Sequence, residues 1–289
     1  MNIRIIARLD IKGPNLVKGI HLEGLRVLGK PERFARYYYE NGADELLYMD
    51  VVASLYGRNS LLDIVRRTSR EIFIPLTVGG GLRSLEDIQA VLRAGADKVS
   101  LNTAAIARPE LIREAARRFG SSTVVVSIEA IRQADGTYEA FTNNGRDQTR
   151  ADAMEWALRA AELGAGEIIV TSIDLEGTGQ GFDLELTRKI AESVSIPVIA
   201  CGGGGKPGDV YEAVTRGKAD AVCVASLLHY NAIRHLPVDV DEFDEGNVEY
   251  LRQKRRFSKI QDATIREIKT FLMDRKIDCR LNEMEAIRG

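Results

Sequence analysis

The chain has 289 residues, of which 45% are hydrophobic, and its 40 basic and 42 acidic side chains leave a net charge of −2. That content is ample for a large core, and so small a net charge excludes a bulk attraction to nucleic acid or to an acidic membrane. Met1 to Arg8 carries Arg4 and Arg8 and no long apolar run, so neither a signal peptide nor a membrane span is expected, and the location expected is cytoplasmic.

In chain order, strands are predicted at Arg4 to Asp10, Glu45 to Val51, Phe73 to Gly79, Lys98 to Leu101, Thr123 to Glu129, Glu167 to Asp174, Pro197 to Cys201 and Ala221 to Ala225. Helices are predicted between and after them, at Pro31 to Asn41, Ser60 to Glu71, Ser84 to Ala94, Pro109 to Phe119, Ala151 to Leu163, Asp183 to Ser193, Gly208 to Gly217 and Asp262 to Arg275. Ser84 with Asp87 is a capping-box pattern, and Gly95, Gly120 and Gly164 stand where helices stop. Strands that read as continuous apolar runs, each followed by a helix, indicate a parallel sheet buried on both faces and closed as a (β/α)8 TIM barrel. An open doubly wound sheet is the competing fold, but its phosphate loop would normally follow the first strand.

One segment occurs twice. Ile74 to Leu82 and Ile196 to Gly204 are both β-branched runs ending in glycines, and each leads into a helix and a further apolar strand. Gly42 to Asp50 likewise matches Gly164 to Ser172. The expectation is one domain, residues 1–289, built from two half-barrels at about 1–120 and 121–289. An excursion at about 231–261 precedes the last helix; its acidic and then basic runs read as a solvated surface rather than a docking element. The long connection from Ile11 to Pro31 reads as a mobile lid, with an ordered surface hairpin as the alternative.

In a barrel of this kind the chemistry sits at the C-terminal ends of the strands. Asp10, Asp50, Asn102, Glu129, Thr171, Asp174 and Ser226 fall there. Asp10 and Glu129 end strands one and five on opposite sides of the mouth, which suits a ligand held between an acid and a base, although a lone strand-end Asp is often only a cap. Strand-end glycines facing helix N-termini are suited to phosphate. Gly79, Gly80, Gly81, Asn102 and Thr103 would hold one phosphate and Gly177, Gly202, Gly203, Ala225 and Ser226 another, so the expected ligand is a small molecule phosphorylated at both ends. Arg4, Glu45, Lys98 and Glu167 begin strands one, two, four and six; pointing inward they must pair, as a structural plug or as a gate. Cys201, Cys223 and Cys279 lack metal-ligand spacing and read as reduced thiols packed as apolar groups, and no metal or other cofactor is expected.

These residues together resemble the HisF family, the cyclase subunits of imidazole glycerol phosphate synthase. The resemblance covers about Arg4 to Tyr230 and Ile265 to Leu281, and rests on Leu9-Asp10-Ile11-Lys12, Val17-Lys18-Gly19, Gly42-Ala43-Asp44-Glu45-Leu46, Ile74 to Gly81, Gly95 to Ser100 and Gly164 to Ile168. It implies a lyase of histidine biosynthesis in which Asp10 is one catalytic carboxylate, Glu129 occupies the place of the second, and Lys18 contacts substrate. It also implies that Arg4, Glu45, Lys98 and Glu167 admit ammonia made by a HisH-type glutaminase docked on the lower, N-terminal face. Three departures stand out: Glu129 where the family has Asp, Asp174-Leu175-Glu176-Gly177 where it has Asp-Arg-Asp-Gly, and Arg8 where it usually has Cys. Similar paralogues in surface-glycan gene clusters supply ammonia for the amidination of a sugar, which needs the gate but not the cyclisation. A non-catalytic phosphosugar-binding barrel would need neither.

Overall fold

A computed structural model describes residues 2–53, 61–236, 247 and 259–281. Its strands are β1 (Arg4–Lys12), β2 (Asn15–Ile20), β3 (Glu23–Gly29), β4 (Glu45–Asp50), β5 (Leu76–Gly79), β6 (Lys98–Leu101), β7 (Val124–Arg132), β8 (Tyr138–Thr142), β9 (Asp147–Asp152), β10 (Glu167–Ser172), β11 (Val198–Cys201) and β12 (Ala221–Val224). Eight of them pair in parallel in the order β1-β4-β5-β6-β7-β10-β11-β12, and β12 pairs again with β1, so the sheet closes. The (β/α)8 TIM barrel expected from the strand and helix pattern is the fold.

Both faces of this sheet are buried, which is why its strands are mainly apolar runs, with charged residues near their ends, rather than alternating. Ile5, Ala7, Leu9, Leu46, Tyr48 and Val126 belong to the layer between barrel and helices, while Ile6, Leu47, Val125, Ile169, Ile199 and Ala221 fill the bore. The outer helices are Pro31–Glu40, Leu62–Thr68, Leu85–Arg93, Glu110–Phe119, Ala153–Glu162, Leu184–Ser193, Pro207–Thr215 and Ile265–Met273. Lys269, fully buried on the last of these, donates to the Gly42 and Arg280 carbonyls at 2.8 and 2.6 Å and pairs with Asp44 at 2.7 Å. A buried ammonium so fully used ties the end of the described chain to the underside of the barrel. No helix among the described residues is long and apolar enough to cross a membrane.

Two details repeat down the chain. Asp87 accepts from the Arg83 and Ser84 amides at 2.9 and 3.2 Å, and Asp209 accepts from those of Gly205 and Lys206 at 2.8 and 3.2 Å. The Leu76 amide donates to Asp97 at 2.9 Å, and the Val198 amide to Asp220 at the same distance. The same backbone problem is solved by the same side chain in each half.

Several expectations need correction. The connection after β1 is the hairpin alternative: β2 pairs antiparallel with β1, Asp10 opposite Val17, and β3 with β2. Its Val17, Lys18, Leu22 and Val27 are buried, so its apolar residues lie under the turn rather than facing water. A second hairpin, β8 and β9, stands on β7 with Phe141 opposite Glu129, in a stretch read as loop and helix start. The helix expected from Ala151 begins at Ala153 because Asp152 caps it, accepting from the Met154 and Glu155 amides at 2.8 and 3.0 Å. The strand expected from Phe73 begins at Leu76, and Phe73 itself is 82% exposed. Two short helices, Thr103–Ala107 and Ser226–Ala232, follow β6 and β12 at once. Of the excursion at 231–261, residues 237–246 and 248–258 lie outside the described residues, as does Ser60; the Asn247 carbonyl accepts from the Val27 amide at 2.9 Å.

Candidate active site at the barrel mouth

Strand β1 points every second residue into the bore, so Arg4, Ile6, Arg8 and Asp10 climb its inner face. On β7 the corresponding set is Val125, Ser127 and Glu129. Asp10 and Glu129, 3% and 4% exposed, thus reach the mouth from two strands of the closed barrel.

Their surroundings differ. Arg8 donates through Nε to Asp10 Oδ1 at 2.7 Å, a charge-assisted pair buried on both sides. Burial alone would weaken the charge on Arg8, but the Asp10 carboxylate and the Cys201 and Cys223 sulfurs together outweigh it and the guanidinium is held more firmly protonated than a free one. Among the described residues no cation lies on the Glu129 oxygens; one of them accepts from Asn102 Nδ2 at 3.0 Å and from the Gly145 amide at 2.9 Å. Burial dominates there and pushes its carboxyl up to about 7, against the opposing pull of Arg8 and Gly145.

Each half of the mouth carries a pocket. The first is lined by Asp50, Gly80, Gly81, Asn102, Thr103 and Glu129. The second is lined by Lys18, Gly177, Gly202, Gly203, Ala225 and Ser226 together with Arg8 and Glu176. Gly80 and Gly203 have φ of 97° and 108°, and a Cβ there would lie 2.3 Å from the Asp50 carbonyl or 2.0 Å from that of Gly181, so only glycine lets the chain come so close. The residues before the two short helices match: Asn102 at φ −129°, ψ −87° and Ala225 at φ −124°, ψ −77°, neither with a side-chain cap. The Ala105 and Leu228 amides bond back to the Asn102 and Ala225 carbonyls at 2.9 and 3.0 Å, and those of Thr103, Ala104, Ser226 and Leu227 remain for an outside acceptor. Ser100 Oγ, Asn102 Oδ1 and Arg8 Nη2, buried polar atoms without a partner among the described residues, lie about this mouth.

At the opposite end of the bore the four expected charges close a ring. Arg4 bonds to Glu45 at 2.9 Å and to Glu167 at 2.7 Å, and Lys98 to the same two carboxylates at 3.0 Å each. Thr77 donates to the remaining Glu45 oxygen at 2.6 Å. Two cations and two anions alternate, so the ring is neutral, and the apolar layer of Ile6, Leu47, Val125, Ile169, Ile199 and Ala221 separates it from the mouth.

Most of the residues expected at the site are brought together there. Asp174 is not: it is exposed and accepts from the Arg132 amide at 3.0 Å, a loop brace outside both pockets. Thr171 is wholly buried in the barrel wall beside them. Asp50 lines the first pocket while one oxygen accepts from the Val52 and Ala53 amides at 3.1 and 2.9 Å. Lys18 does not stand open to a ligand; it pairs with Glu176, whose other oxygen accepts from the Leu22 amide at 3.0 Å. Cys201 and Cys223 are free, buried thiols in the apolar bore cluster; Arg8 Nη1 lies 3.4 Å from Cys201, and the Cys223 thiol and the Arg8 cation hold Cys201 below the usual thiol range while Cys223 is raised. The parts missed from the sequence are the Arg8 pair, the Glu176 brace and the Gly145 donor; the period-two count along β1 and the turn Asn143-Asn144-Gly145 were the available signals.

The profile of the histidine biosynthesis protein family matches residues 4–234. Imidazole glycerol phosphate synthase subunit HisF of Legionella pneumophila is 60% identical over 205 residues, 71% of this chain and 97% of that protein. The proteins of that name from Alkaliphilus metalliredigens and Streptomyces griseus are 48% and 49% identical, over 80% and 82% of this chain and 91% and 94% of their own lengths. With the barrel, the paired pockets and the ring already in place, the chain belongs to the histidine biosynthesis protein family and, within it, to the HisF proteins.

Proposed function

We propose that this chain is the ammonia-using cyclase and lyase subunit of a glutamine-amidotransferase complex of the imidazole glycerol phosphate synthase type. Its substrate would be a phosphoribulosyl-formimino aminoimidazole nucleotide, converted with ammonia to imidazole glycerol phosphate and aminoimidazole carboxamide ribotide. The observation that carries this reading is the pair of glycine cradles in one mouth with Asp10 and Glu129 above the bore between them. A ligand phosphorylated at both ends, one phosphate in each cradle, would be held with its reacting middle over the two carboxyls. Glu129, at about 7, exists in both protonation states near neutral pH and can give and take a proton; Asp10, held by Arg8, is the second carboxyl at the mouth. Ammonia from a HisH-type glutaminase on the N-terminal face would pass the ring of Arg4, Glu45, Lys98 and Glu167 and the apolar bore. The architecture supports a single domain of two half-barrels, about 1–120 and 121–289.

A second reading has its own observation. Glu176 occupies Lys18, a tie that a cyclase using Lys18 on its substrate must loosen but an ammonia conduit need not. A HisF-like paralogue that channels ammonia to amidinate a surface-polysaccharide sugar would use the ring and the docking face alone. A phosphosugar-binding barrel without catalysis would have no use for the closed ring.

The test is turnover of the nucleotide with excess ammonium salt at mildly alkaline pH, in the parent and in Asp10→Asn, Glu129→Gln and Glu129→Asp. The cyclase reading expects an active parent, a nearly inactive Asp10→Asn, a strongly impaired Glu129→Gln and a Glu129→Asp at least as active as the parent. A parent without turnover that still binds and stimulates a glutaminase overturns it in favour of the conduit.

A further inference from the structure

Both hairpins at the mouth turn through left-handed residues. Between β2 and β3 the turn is His21-Leu22, at φ 52° and 62°; between β8 and β9 it includes Asn143, Asn144 and Gly145, at 52°, 59° and 75°. Asparagine and glycine take this conformation readily, whereas a leucine does so at a cost, and backbone held there persists where the surrounding contacts over-determine it. For Leu22 those contacts come largely from the second hairpin and the chain beside it. It is buried in a small apolar cluster with Phe141 of β8 and Ile173, and its carbonyl accepts from Asn144 Nδ2 at 3.3 Å. Its own amide donates to a Glu176 carboxylate oxygen at 3.0 Å, and that of His21 to the Glu176 carbonyl at 2.9 Å. A Cβ on Gly145 would lie 3.1 Å from Leu22 Cδ1 and 3.0 Å from Ile173 Cδ1, so the second turn is seated against that side chain.

The same turn serves the site. The Gly145 amide donates to Glu129 at 2.9 Å. The Asn143 amide donates at 3.0 Å to Oγ1 of Thr103, the first residue of the short helix at the first cradle, and Asn144 lines that pocket. Three successive residues therefore touch the carboxyl, the cradle and the opposite hairpin.

We propose that Asn144 and Leu22 are positioning residues for Glu129: their contact across the mouth fixes the turn whose Gly145 amide orients the carboxyl over the bore. Loosening either hairpin withdraws a donor from the charged form of the acid, so the state of the first hairpin is felt at a carboxyl carried by the other half of the barrel. This rests on the reading of Glu129 as one of the two reacting carboxyls and goes beyond it by naming what holds that side chain in place. Arg8 and Asp10 of β1 and Cys201 of β11 also act on Glu129, and Asp50 of β4 shares its pocket; all four are kept in the variants that test the contact.

The test follows the Glu129 carboxyl carbon by NMR across pH in the 13C,15N-labelled full chain, with Glu129→Gln to assign the signal. In the parent it should titrate at about 7, and the Gly145 amide proton and the Asn144 side-chain amide should move with the same midpoint. Asn144→Gly keeps the left-handed backbone and removes the tie to Leu22; Leu22→Asn suits the turn and deletes the packing. Each should raise the Glu129 midpoint by about one pH unit, the worth of a donor lost from a carboxylate, and the pH profile of turnover with ammonium should move the same way. A contact that only braces the hairpins would lower stability and leave the midpoint where it is, and that result in either variant overturns the proposal. So does a parent in which the Gly145 amide does not follow Glu129, without any variant having to fold. The midpoint is read without substrate, so a chain that turns over no nucleotide fails the cyclase reading while the positioning of Glu129 is still decided.

Discussion

The two halves of the barrel set the same backbone around two different carboxyls. The cradle glycines, the uncapped short helices and the Asp87 and Asp209 braces superpose in kind from one half to the other, and each half begins with a strand that carries a hairpin. At the mouth the likeness ends. Asp10 is fixed by a buried arginine; Glu129 is held only by neutral donors and is pushed to about 7. Side-chain choice at one inward position, Arg8 against Ser127, separates a carboxyl bonded to a buried cation from one that burial raises to about 7. Pairs of acids whose environments diverge in this way are what acid and base roles require.

The sharpest test of that contrast is to neutralise each carboxyl in turn. Asp10→Asn and Glu129→Gln should each lower turnover with ammonium by about 100-fold to 10,000-fold, the usual worth of a positioned proton-transfer group. Their effects on stability should part. Asp10→Asn leaves Arg8 as a buried, uncompensated cation and should cost about 3–5 kcal/mol in a denaturant titration. Glu129→Gln strands no charge. Equal losses of stability in the two variants would show that the Arg8 pair is not what distinguishes the halves.

The next effect is in pH. Folding raises Glu129 from 4.5 to about 7, so the folded chain binds the extra proton between these values. The stability from this group is fully present below about pH 4.5 and is lost as the pH rises through about 7. Glu129→Gln removes that loss and should be more stable than the parent above pH 7 by on the order of 2–3 kcal/mol, with no advantage near pH 4.5. Parallel stability curves for the two proteins across this range would mean that Glu129 is not desolvated.

Much of this was legible in the sequence, and the reason is physical. Continuous β-branched runs, helix-ending glycines and the repeated Gly-Gly-Gly segments are local signals, and they were enough to place eight barrel strands, both cradles and the charged ring. What escaped depends on contacts between distant residues. The sequence offers Lys18 as a substrate contact and Asp174 as a strand-end carboxylate, but not that Glu176 folds onto the one and the Arg132 amide bonds to the other. The hairpin β8–β9 escaped because Asp147–Asp152 is polar on both sides and half exposed, so no period-two pattern marks it. Phe73 was drawn into a strand by its apolar neighbours, although the chain leaves it in solvent beside Tyr39.

The smallest expected effect belongs to the ring, where the halves meet at the other end of the bore. Glu45 is 3% exposed and Glu167 12%, and each is held by both Arg4 and Lys98, so loss of one cation leaves every carboxylate with a partner. Lys98→Ala should therefore fold, and its turnover with added ammonium should stay near that of the parent, because the mouth lies beyond the apolar layer and is untouched. What should change is the yield of product per glutamine hydrolysed in the complex with the glutaminase, by severalfold, since a gap in the ring alters what enters the bore. Arg4→Ala, which opens the more exposed side of the same ring, should act in the same sense. Measuring product and glutamate together in each complex decides the matter: equal losses with ammonium and with glutamine would make the ring a plug that holds the strands, and the two halves would then share a structural floor rather than a passage.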